Sequence, residues 1–203
     1  MSGAITSGWE GTLRLDPYGS IIVRVAPRGS GPARPAPPSA LDARELAAAW
    51  KLRTERTKFN LERLVSWTEI PGMLHFSGTA SYSTQVNLDL HSRSRVVLDL
   101  GEVREIAEVA INGRPAGVAW KRPYRLDVTG LARPGSNRIE VKVTNLWINA
   151  MLGRPQPDYS ALDARFGARF PEPAEWKKCR PLSSGLLGPV TIRVAHNIPV
   201  QQP

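Results

Sequence analysis

Apolar and polar residues alternate in three short runs within residues 96–147, VVLDLGEVREIAEVAINGRPAGVAWKRPYRLDVTGLARPGSNRIEVKVTNLW. The alternating apolar positions are Val96, Leu98 and Leu100, then Ala107, Val109 and Ile111, and finally Ile139, Val141 and Val143. A period of two indicates strands with one buried and one solvated face. Asn112-Gly113 ends the second run and Pro134–Asn137 precedes the third, so turn residues separate the runs. The pattern predicts an antiparallel β-sandwich.

Alternation continues on both sides of this stretch, and further strands are predicted at residues 50–54, 117–120 and 190–194. Residues 73–76 and 78–90 predict two strands or one bent strand, with Gly78 at the bend. The segment Asp127–Leu131 predicts a capped turn between two strands. The fold class is therefore predicted to be all-β.

The N-terminal part differs from the alternating region. Residues 9–26, WEGTLRLDPYGSIIVRVA, predict a hairpin around the turn DPYG, and we interpret residues 1–26 as the end of a preceding domain. Residues 27–38, PRGSGPARPAPP, have the Pro and Gly content of an extended linker. Ser39 as N-cap and the run ALDARELAAAW predict a short helix near 40–49. The main domain is predicted to span residues 39–203.

Residues 151–184 are the least regular part of the chain. They contain four aromatic residues, Tyr159, Phe166, Phe170 and Trp176, among six basic ones, Arg154, Arg165, Arg169, Lys177, Lys178 and Arg180. A connection of this length without clear strands is either functional or mobile. Ser160–Asp163 predicts the cap of a helix of one or two turns.

The net charge of +9 raises the question of nucleic-acid binding. The basic residues are 21 Arg and 6 Lys, and no Lys/Arg-rich run concentrates them, which argues against a nucleic-acid partner. No apolar run reaches the length of a membrane span, so no membrane partner is expected. The N-terminus, MSGAITSGWEG, lacks the basic and apolar regions of a signal peptide, and the cellular location stays open.

No catalytic or metal-binding motif stands out in the chain. His75, His91 and His196 lack metal-ligand spacing, and we interpret the single cysteine, Cys179, as an incidental surface thiol. Nucleophile elbows, P-loops and dinucleotide fingerprints are missing from the sequence. The 18 acidic residues single out no pair of the kind that a glycosidase needs. No catalytic residue, metal or cofactor is therefore predicted, and binding is favoured over catalysis.

Four segments taken together resemble a known family: SWTEIPGMLHFSGTASYST (66–84), VVLDLGEVREIAEVAINGRPAGVAWKRPYRLDVTG (96–130), GSNRIEVKVTNLWIN (135–149) and SGLLGPVTI (184–192). They resemble the C-terminal β-sandwich of glycoside hydrolase family 106 α-L-rhamnosidases. That region is similar to the sugar-binding, jelly-roll domain of family 2 glycosidases. The match covers about two-thirds of the chain, and several motifs in one order make it more specific than any single motif.

The resemblance implies a galactose-binding-domain-like jelly-roll β-sandwich, with the N-terminal hairpin and the short helix as additions. It also implies catalytic carboxylates on a large upstream barrel, for which 203 residues leave no room. One corner departs from the family. After Asn145-Leu-Trp147 the family pattern tends to run Asn-Arg and then Gly-Asp. Here Ala150 stands in place of that Arg, and Arg154 follows Gly153 in place of the Asp.

Five residues are candidates for a polar and aromatic surface that contacts a sugar: Trp120, Tyr124, Asn145, Trp147 and Asn149. Aromatic rings stack on the apolar face of a sugar, and amide groups make directional hydrogen bonds with its hydroxyls. In the alternative interpretation, Trp147 fills the sandwich core and Asn145 caps a turn.

These observations lead to three functional hypotheses. The first is a non-catalytic carbohydrate-binding or accessory module of a rhamnosidase-like glycoside hydrolase, with a rhamnose-containing glycan as partner. The second is a small stand-alone hydrolase that acts on glycosides or esters through carboxylates that the sequence does not single out. The third is a domain that docks a separate catalytic domain or subunit.

Overall fold

The computed structural model describes Leu15, Gly19, Ser20 and residues 42–46, 48–91, 94–167, 169 and 178–195. Its strands are β1 Asp42–Glu45, β2 Trp50–Arg53, β3 Lys58–Leu61, β4 Thr79–Leu88, β5 Arg95–Asp99, β6 Glu102–Arg104, β7 Ile106–Ile111, β8 Arg114–Ala119, β9 Arg125–Asp127, β10 Gly135–Thr144, β11 Gly185–Gly188 and β12 Thr191–Ala195. Its helices are a 3-10 turn at Trp67–Glu69, α1 at Ile148–Leu152 and α2 at Tyr159–Phe166.

The strands form two main antiparallel sheets and one short ribbon. The larger sheet has six strands in the order β3-β2-β4-β10-β7-β8, and the smaller has four in the order β1-β12-β5-β9. Strands β11 and β6 pair as a two-stranded ribbon. Buried residues of both main sheets belong to one hydrophobic cluster. This arrangement confirms the predicted all-β, jelly-roll β-sandwich.

Strands β7 and β10 follow the predicted alternation. Ala107, Val109 and Ile111 on β7, and Ile139, Val141 and Val143 on β10, are all buried. Their intervening residues face away from the core, and the two strands pair in register with Val141 opposite Val109. Burial of one Val or Ile side chain stabilises the fold by about 1.5–3 kcal/mol.

Strand β5 is buried on both faces, which its alternation did not predict. Val96 and Leu98 face the core, but Val97 and Asp99 are buried as well. On the outer face, Arg125 from β9 and Arg193 from β12 both form ion pairs with Asp99. Long arginine side chains cover sheet surface while their charged ends stay in solvent, so the two arginines help to bury Val97 and Asp99 on this face.

The predicted turns are present. Asn112 and Gly113 connect β7 to β8 with φ angles of 53° and 79°, the backbone that two-residue hairpin turns require and that Asn and Gly tolerate. Between β9 and β10, the amide and hydroxyl of Thr129 both donate hydrogen bonds to Asp127 Oδ1. This is the capped turn predicted at 127–131.

Two local predictions are wrong. The predicted helix near 40–49 is instead strand β1, which pairs along its full length with β12. Hydrogen bonding to the edge of β12 that β5 leaves open outweighs the modest helix preference of this run, since such preferences are below about 1 kcal/mol per residue. No strand forms at 73–76, where the backbone turns, and β4 begins at Thr79.

The helix predicted around Ser160–Asp163 is confirmed as α2, but its N-cap is Asp158, whose side chain accepts a hydrogen bond from the Ala161 amide. The 1–26 hairpin and the 27–38 linker lie outside the described residues, apart from Leu15, Gly19 and Ser20. Within the described part of the chain, neither α-helix has the length and apolarity that a membrane span requires.

Candidate functional site

Several connecting segments meet at one end of the six-stranded sheet, which we call the groove end. Strand β10 ends there at Thr144, which pairs with Thr79 at the start of β4 and with Ile106 at the start of β7. The last residue of β8, Ala119, and the turn at 54–57 between β2 and β3 lie at the same end. This end therefore collects the side chains of several loops.

A groove of about 840 Å³ opens at this end, beside the turn at 54–57. Three parts of the chain line it. They are the turn Thr54, Glu55, Arg56 and Thr57; the segment Gly72, Met73, Leu74, His75, Phe76, Ser77, Gly78 and Thr79; and Trp147, Ala150 and Arg154 from the α1 region. Its volume is within the range typical of small-molecule sites.

Thr54 shapes the first wall of the groove. Its hydroxyl accepts hydrogen bonds from the amides of Arg56 and Thr57 and shares another with the Thr57 hydroxyl at 2.8 Å. Hydroxyl side chains that bond the following amides stabilise tight turns. The turn thus holds the exposed residues Glu55 and Arg56 at its tip.

The segment 72–79 forms the second wall of the groove, and Asn145 connects the end of β10 to it. Its Oδ1 accepts a hydrogen bond from the Gly78 amide at 2.9 Å, and its Nδ2 donates to Phe76 O at 3.0 Å and to Ser184 Oγ at 3.1 Å. The amide group is therefore occupied by contacts within the protein. Its position corresponds to the turn-capping alternative for Asn145.

Asn149 lies on α1 and is 1% exposed. Its Nδ2 donates to Leu182 O and to Ser184 Oγ, and its Oδ1 accepts from the Leu182 amide at 2.7 Å. Buried amides need such partners because an unpaired polar group costs about 1–3 kcal/mol. Asn149 therefore ties α1 to the chain before β11 and presents no side chain to solvent.

A buried aromatic pair, Trp67 and Tyr82, supports the groove end from the core side. Tyr82 Oη accepts hydrogen bonds from Trp67 Nε1 at 2.6 Å and from the Leu186 amide at 3.1 Å. Burial raises the pKa of Tyr82 to about 12, although these two hydrogen bonds act in the opposite direction. Gly185 passes so close that a Cβ there would lie 2.6 Å from Tyr82 Oη, and its φ of 98° also favours glycine.

Trp147 is 59% exposed and lines the groove, so it does not fill the core. The Arg154 guanidinium carbon lies 5.6 Å from the centre of the Trp147 ring. Ser77 Oγ donates to Leu146 O and accepts from the Ala150 amide, each at 2.9 Å. The ring is therefore presented by a short helix that is fixed to the groove wall on either side of it.

The remaining two candidates are separated from the groove. Trp120 follows β8 and is 64% exposed, with Lys121 Nζ at 5.9 Å from its ring centre, but it does not line the groove. Strand β8 is two strands from β10, which corresponds to roughly 10 Å across the sheet. Tyr124 is buried, and this burial together with the charge of Glu105 raises its pKa. The five predicted residues thus share one end of the sandwich without forming one surface.

Residues 74–168 match the family described as glycosyl hydrolase 2 galactose-binding domain-like. This stretch belongs to that family. A putative beta-glucuronidase of Formosa agariphila is 40% identical over 161 residues, which are 68% of this chain and 14% of that protein. The structure of a rhamnosidase from Novosphingobium sp. PP1Y matches with a TM-score of 0.62 and 29% identity, over 81% of this chain and 16% of that one. The chain therefore spans about a seventh to a sixth of the length of these proteins.

The galactose-binding-like domain has a second, smaller pocket of about 490 Å³ beside Tyr124, where the charges are paired. Burial acts to raise the pKa of Asp99, but hydrogen bonds from Arg125 and the Gly101 amide, with the charges of Arg125 and Arg193, outweigh it and lower that pKa. Glu102 likewise forms ion pairs with Arg104 and Arg122. Asp99 thus ties β5 to β9 and β12, whereas Glu102 pairs with Arg104 on its own strand and with Arg122 in the connection between β8 and β9, so both carboxylates are engaged within the fold.

Sequence patterns did not indicate most groove residues of the galactose-binding-like domain. Arg56 lies in a segment without periodicity and His75 in a segment wrongly predicted as a strand, and only strand pairing brings the turn 54–57 next to the segment 72–79. The sequence identified Arg154 as one of six basic residues in 151–184 and as a departure from the family pattern, but only the structure locates it against Trp147. Among the described residues, no group of three or more side chains is arranged to hold a metal ion.

Proposed function

We propose that this chain is a non-catalytic carbohydrate-binding module of a rhamnosidase-like glycoside hydrolase and that its ligand binds in the groove beside Trp147. The observation that carries the proposal is a large aromatic ring, 59% exposed, that is held rigidly in the wall of an 840 Å³ groove. Burial of a tryptophan is strongly favourable, so a ring left exposed in a concave site is typical of a ligand contact.

The groove offers both kinds of contact that a sugar needs. Trp147 supplies a flat surface for the C–H face of a pyranose ring, and the polar side chains of Arg56, His75 and Arg154 lie in the same lining. Thr54 and Asn145 fix the two walls through their internal hydrogen bonds. A preformed groove of this kind binds without a large cost in ordering the protein.

The relatives support the class of ligand. One is a rhamnosidase by structure and the other a putative beta-glucuronidase by sequence, and both names belong to enzymes that act on glycosides. A rhamnose-containing glycan is the partner that follows from the rhamnosidase. We place the catalytic carboxylates elsewhere because no described pair of carboxylates lines the groove, where Glu55 is the only acidic residue.

Titration calorimetry of the full chain with rhamnose and with rhamnosides tests this proposal. Trp147→Ala should weaken binding by about tenfold or more, which corresponds to about 1.4 kcal/mol. Trp120→Ala is the matched control, because Trp120 is equally exposed but lies outside the groove, and it should leave the affinity unchanged. Equal affinities for the wild type and Trp147→Ala would contradict the assignment of the groove.

The same preparation tests the stand-alone hydrolase. Aryl glycosides and aryl esters should give no turnover above the uncatalysed rate. Turnover that is abolished when one carboxylate is replaced would overturn the non-catalytic part of the proposal.

A second candidate, docking to a catalytic domain or subunit, is favoured by one observation. Large apolar side chains are exposed at or next to the groove end: Leu74, Ile106, Trp120, Leu146, Trp147, Met151 and Leu182. Concentrated exposed apolar surface is typical of interaction sites. If docking is the function, the chain should bind a Novosphingobium rhamnosidase that lacks the matching segment. Leu146→Ser with Met151→Ser should weaken that complex in sedimentation velocity, and absence of any complex would remove this candidate.

A further inference from the structure

We propose that the groove selects a carbohydrate that carries an acidic group, either a carboxylate or a sulfate ester, and that Arg154 pairs with that group. The inference rests on the proposed function of the groove and adds the chemical class of the ligand. Three observations support it. Arg154 packs against Trp147, and the groove lining contains more basic than acidic side chains. Within the described part of the chain, neither Arg154 nor the second groove arginine, Arg56, forms an ion pair.

Arg154 is held in place by the tryptophan and not by an acid. Its guanidinium carbon lies 5.6 Å from the Trp147 ring centre, whereas within residues 42–46, 48–91, 94–167, 169 and 178–195 no carboxylate forms an ion pair with it. A guanidinium that packs against a ring keeps its N–H groups directed outward in its plane. These donors match the two oxygens of a carboxylate or sulfate, and such paired bonds are stronger than neutral hydrogen bonds.

The opposite wall adds a second positive charge. Arg56 is exposed at the tip of the turn that Thr54 shapes, and it too has no ion pair among the described residues. Against these two arginines the lining contains one acidic residue, Glu55. Two arginines against one glutamate give the groove lining a net positive charge within a chain whose total is +9. A concave surface of one sign attracts ligands of the opposite sign.

Other arginines of the domain show the contrast. Arg125 and Arg193 share Asp99, and Arg104 and Arg122 share Glu102, so their charges serve the fold. The groove arginines have no such role in the described contacts. A positive charge beside an exposed aromatic ring is the arrangement that recognises a sugar ring and its acidic substituent together.

The decisive experiment compares three ligands of equal size by titration calorimetry with the full chain. They are a rhamnosyl disaccharide with a glucuronic acid unit, the same disaccharide with neutral glucose, and the neutral disaccharide with one sulfate ester. We expect at least one acidic ligand to bind tenfold or more tightly than the neutral one, with an advantage that decreases as salt is added. Whichever of the two acidic ligands binds more tightly identifies the preferred acidic group as the carboxylate of a uronic acid or a sulfate ester.

Variants assign the preference to Arg154. Arg154→Gln should bring the affinities for acidic and neutral ligands to within about threefold of each other, and Arg154→Lys should keep part of the preference because charge remains but paired bonding is lost. Arg44→Gln is the control, since Arg44 is exposed on β1 and lies outside the groove lining. Trp147→Ala should weaken all three ligands, and the acidic ones more, because it also removes the ring against which Arg154 packs.

The outcomes separate the two proposals. Equal binding of acidic and neutral ligands, with loss of both in Trp147→Ala, overturns the charge preference and leaves the carbohydrate groove in place. A preference that survives Arg154→Gln overturns the role of Arg154. Failure of all three ligands to bind overturns the proposed function together with this inference.

Discussion

The two ends of the six-stranded sheet differ although asparagines organise both. At the closed end, Asn137 is 1% exposed, accepts hydrogen bonds from Asn112 Nδ2 and the Arg133 amide, and donates to Arg133 O and Gly135 O. At the groove end, Asn145 and Asn149 make a similar number of internal bonds. Among the described residues, the groove end alone then exposes a tryptophan, Trp147, in a concave wall.

Connection length explains this difference. At the closed end a two-residue turn joins β7 to β8 and residues 128–134 join β9 to β10, and the side chains of Asn112 and Asn137 bond these short connections to each other. At the groove end, β3 reaches β4 through residues 62–78, and β10 is followed by the α1 region. These longer connections cross the end of the sandwich, and the groove lies between them. Hydrogen bonds from Asn145 and Asn149 hold the connections in place. The closed end thus serves stability, and the groove end is the place of the proposed ligand contact.

The largest expected effect comes from Val141→Asp, which should unfold the whole domain and so disrupt the structure of both the closed end and the groove end. Val141 lies between Tyr82 and Val109 in the middle of the sheet and is fully buried. An unpaired charge there costs more than a typical domain stability of about 5–15 kcal/mol can tolerate. Circular dichroism and a thermal melt measure the loss. The neighbouring exposed substitution Lys142→Ser should melt like the wild type, and an unchanged cooperative melt of Val141→Asp would contradict the inward orientation of β10.

Asn137→Ala should have the next largest effect, confined to the closed end. It removes four hydrogen bonds, each worth roughly 0.5–1.5 kcal/mol, which hold the exposed backbone of Arg133 and Gly135 and the Asn112 side chain, so we expect a loss of about 3 kcal/mol in the free energy of unfolding. Urea denaturation measures it, with exposed Asn87→Ala as the control. Ligand affinity measured below the melting temperature should stay unchanged. A weaker ligand affinity in Asn137→Ala would show that the two ends are coupled.

Asn149→Ala, the matching substitution at the groove end, should cost less stability but affect binding. Its loss leaves the Leu182 amide unpaired, while Leu182 O keeps a hydrogen bond from Ser184 Oγ, so we expect a loss of about 2 kcal/mol. Because Asn149 ties down the helix that follows Trp147, ligand affinity should decrease as well. Urea denaturation and calorimetry on the same protein measure both quantities. Unchanged affinity would mean that the ring is held by the Ser77 contacts alone.

Periodicity in the sequence predicted the sheets well because burial on one face imposes it on strands such as β7 and β10. It could not predict strand β1, whose formation depends on pairing with β12 more than 140 residues away in the chain. The site was predicted only in part for the same reason. Trp147 and Trp120 were identified by residue type, but the same type fills the core at Trp50 and Trp67. The exposure of Trp147 and its contact with Arg154 depend on how α1 packs against the segment 72–79. No local sequence pattern indicates that packing.

The smallest expected effect concerns Tyr82, which supports the groove end from inside the core. Its pKa is raised to about 12 in the folded protein, above its usual value of 10. The stability that depends on the protonated phenol is therefore fully present below pH 10 and decreases between about pH 10 and 12, because the unfolded chain loses this proton first.

Tyr82→Phe should be less stable at neutral pH, since Trp67 Nε1 and the Leu186 amide lose their acceptor. The difference from the wild type should then narrow by about 1 kcal/mol between pH 9 and pH 11 in urea denaturation. A constant difference across that interval would show that Tyr82 ionises equally in both states and that its burial does not stabilise the groove end in this way.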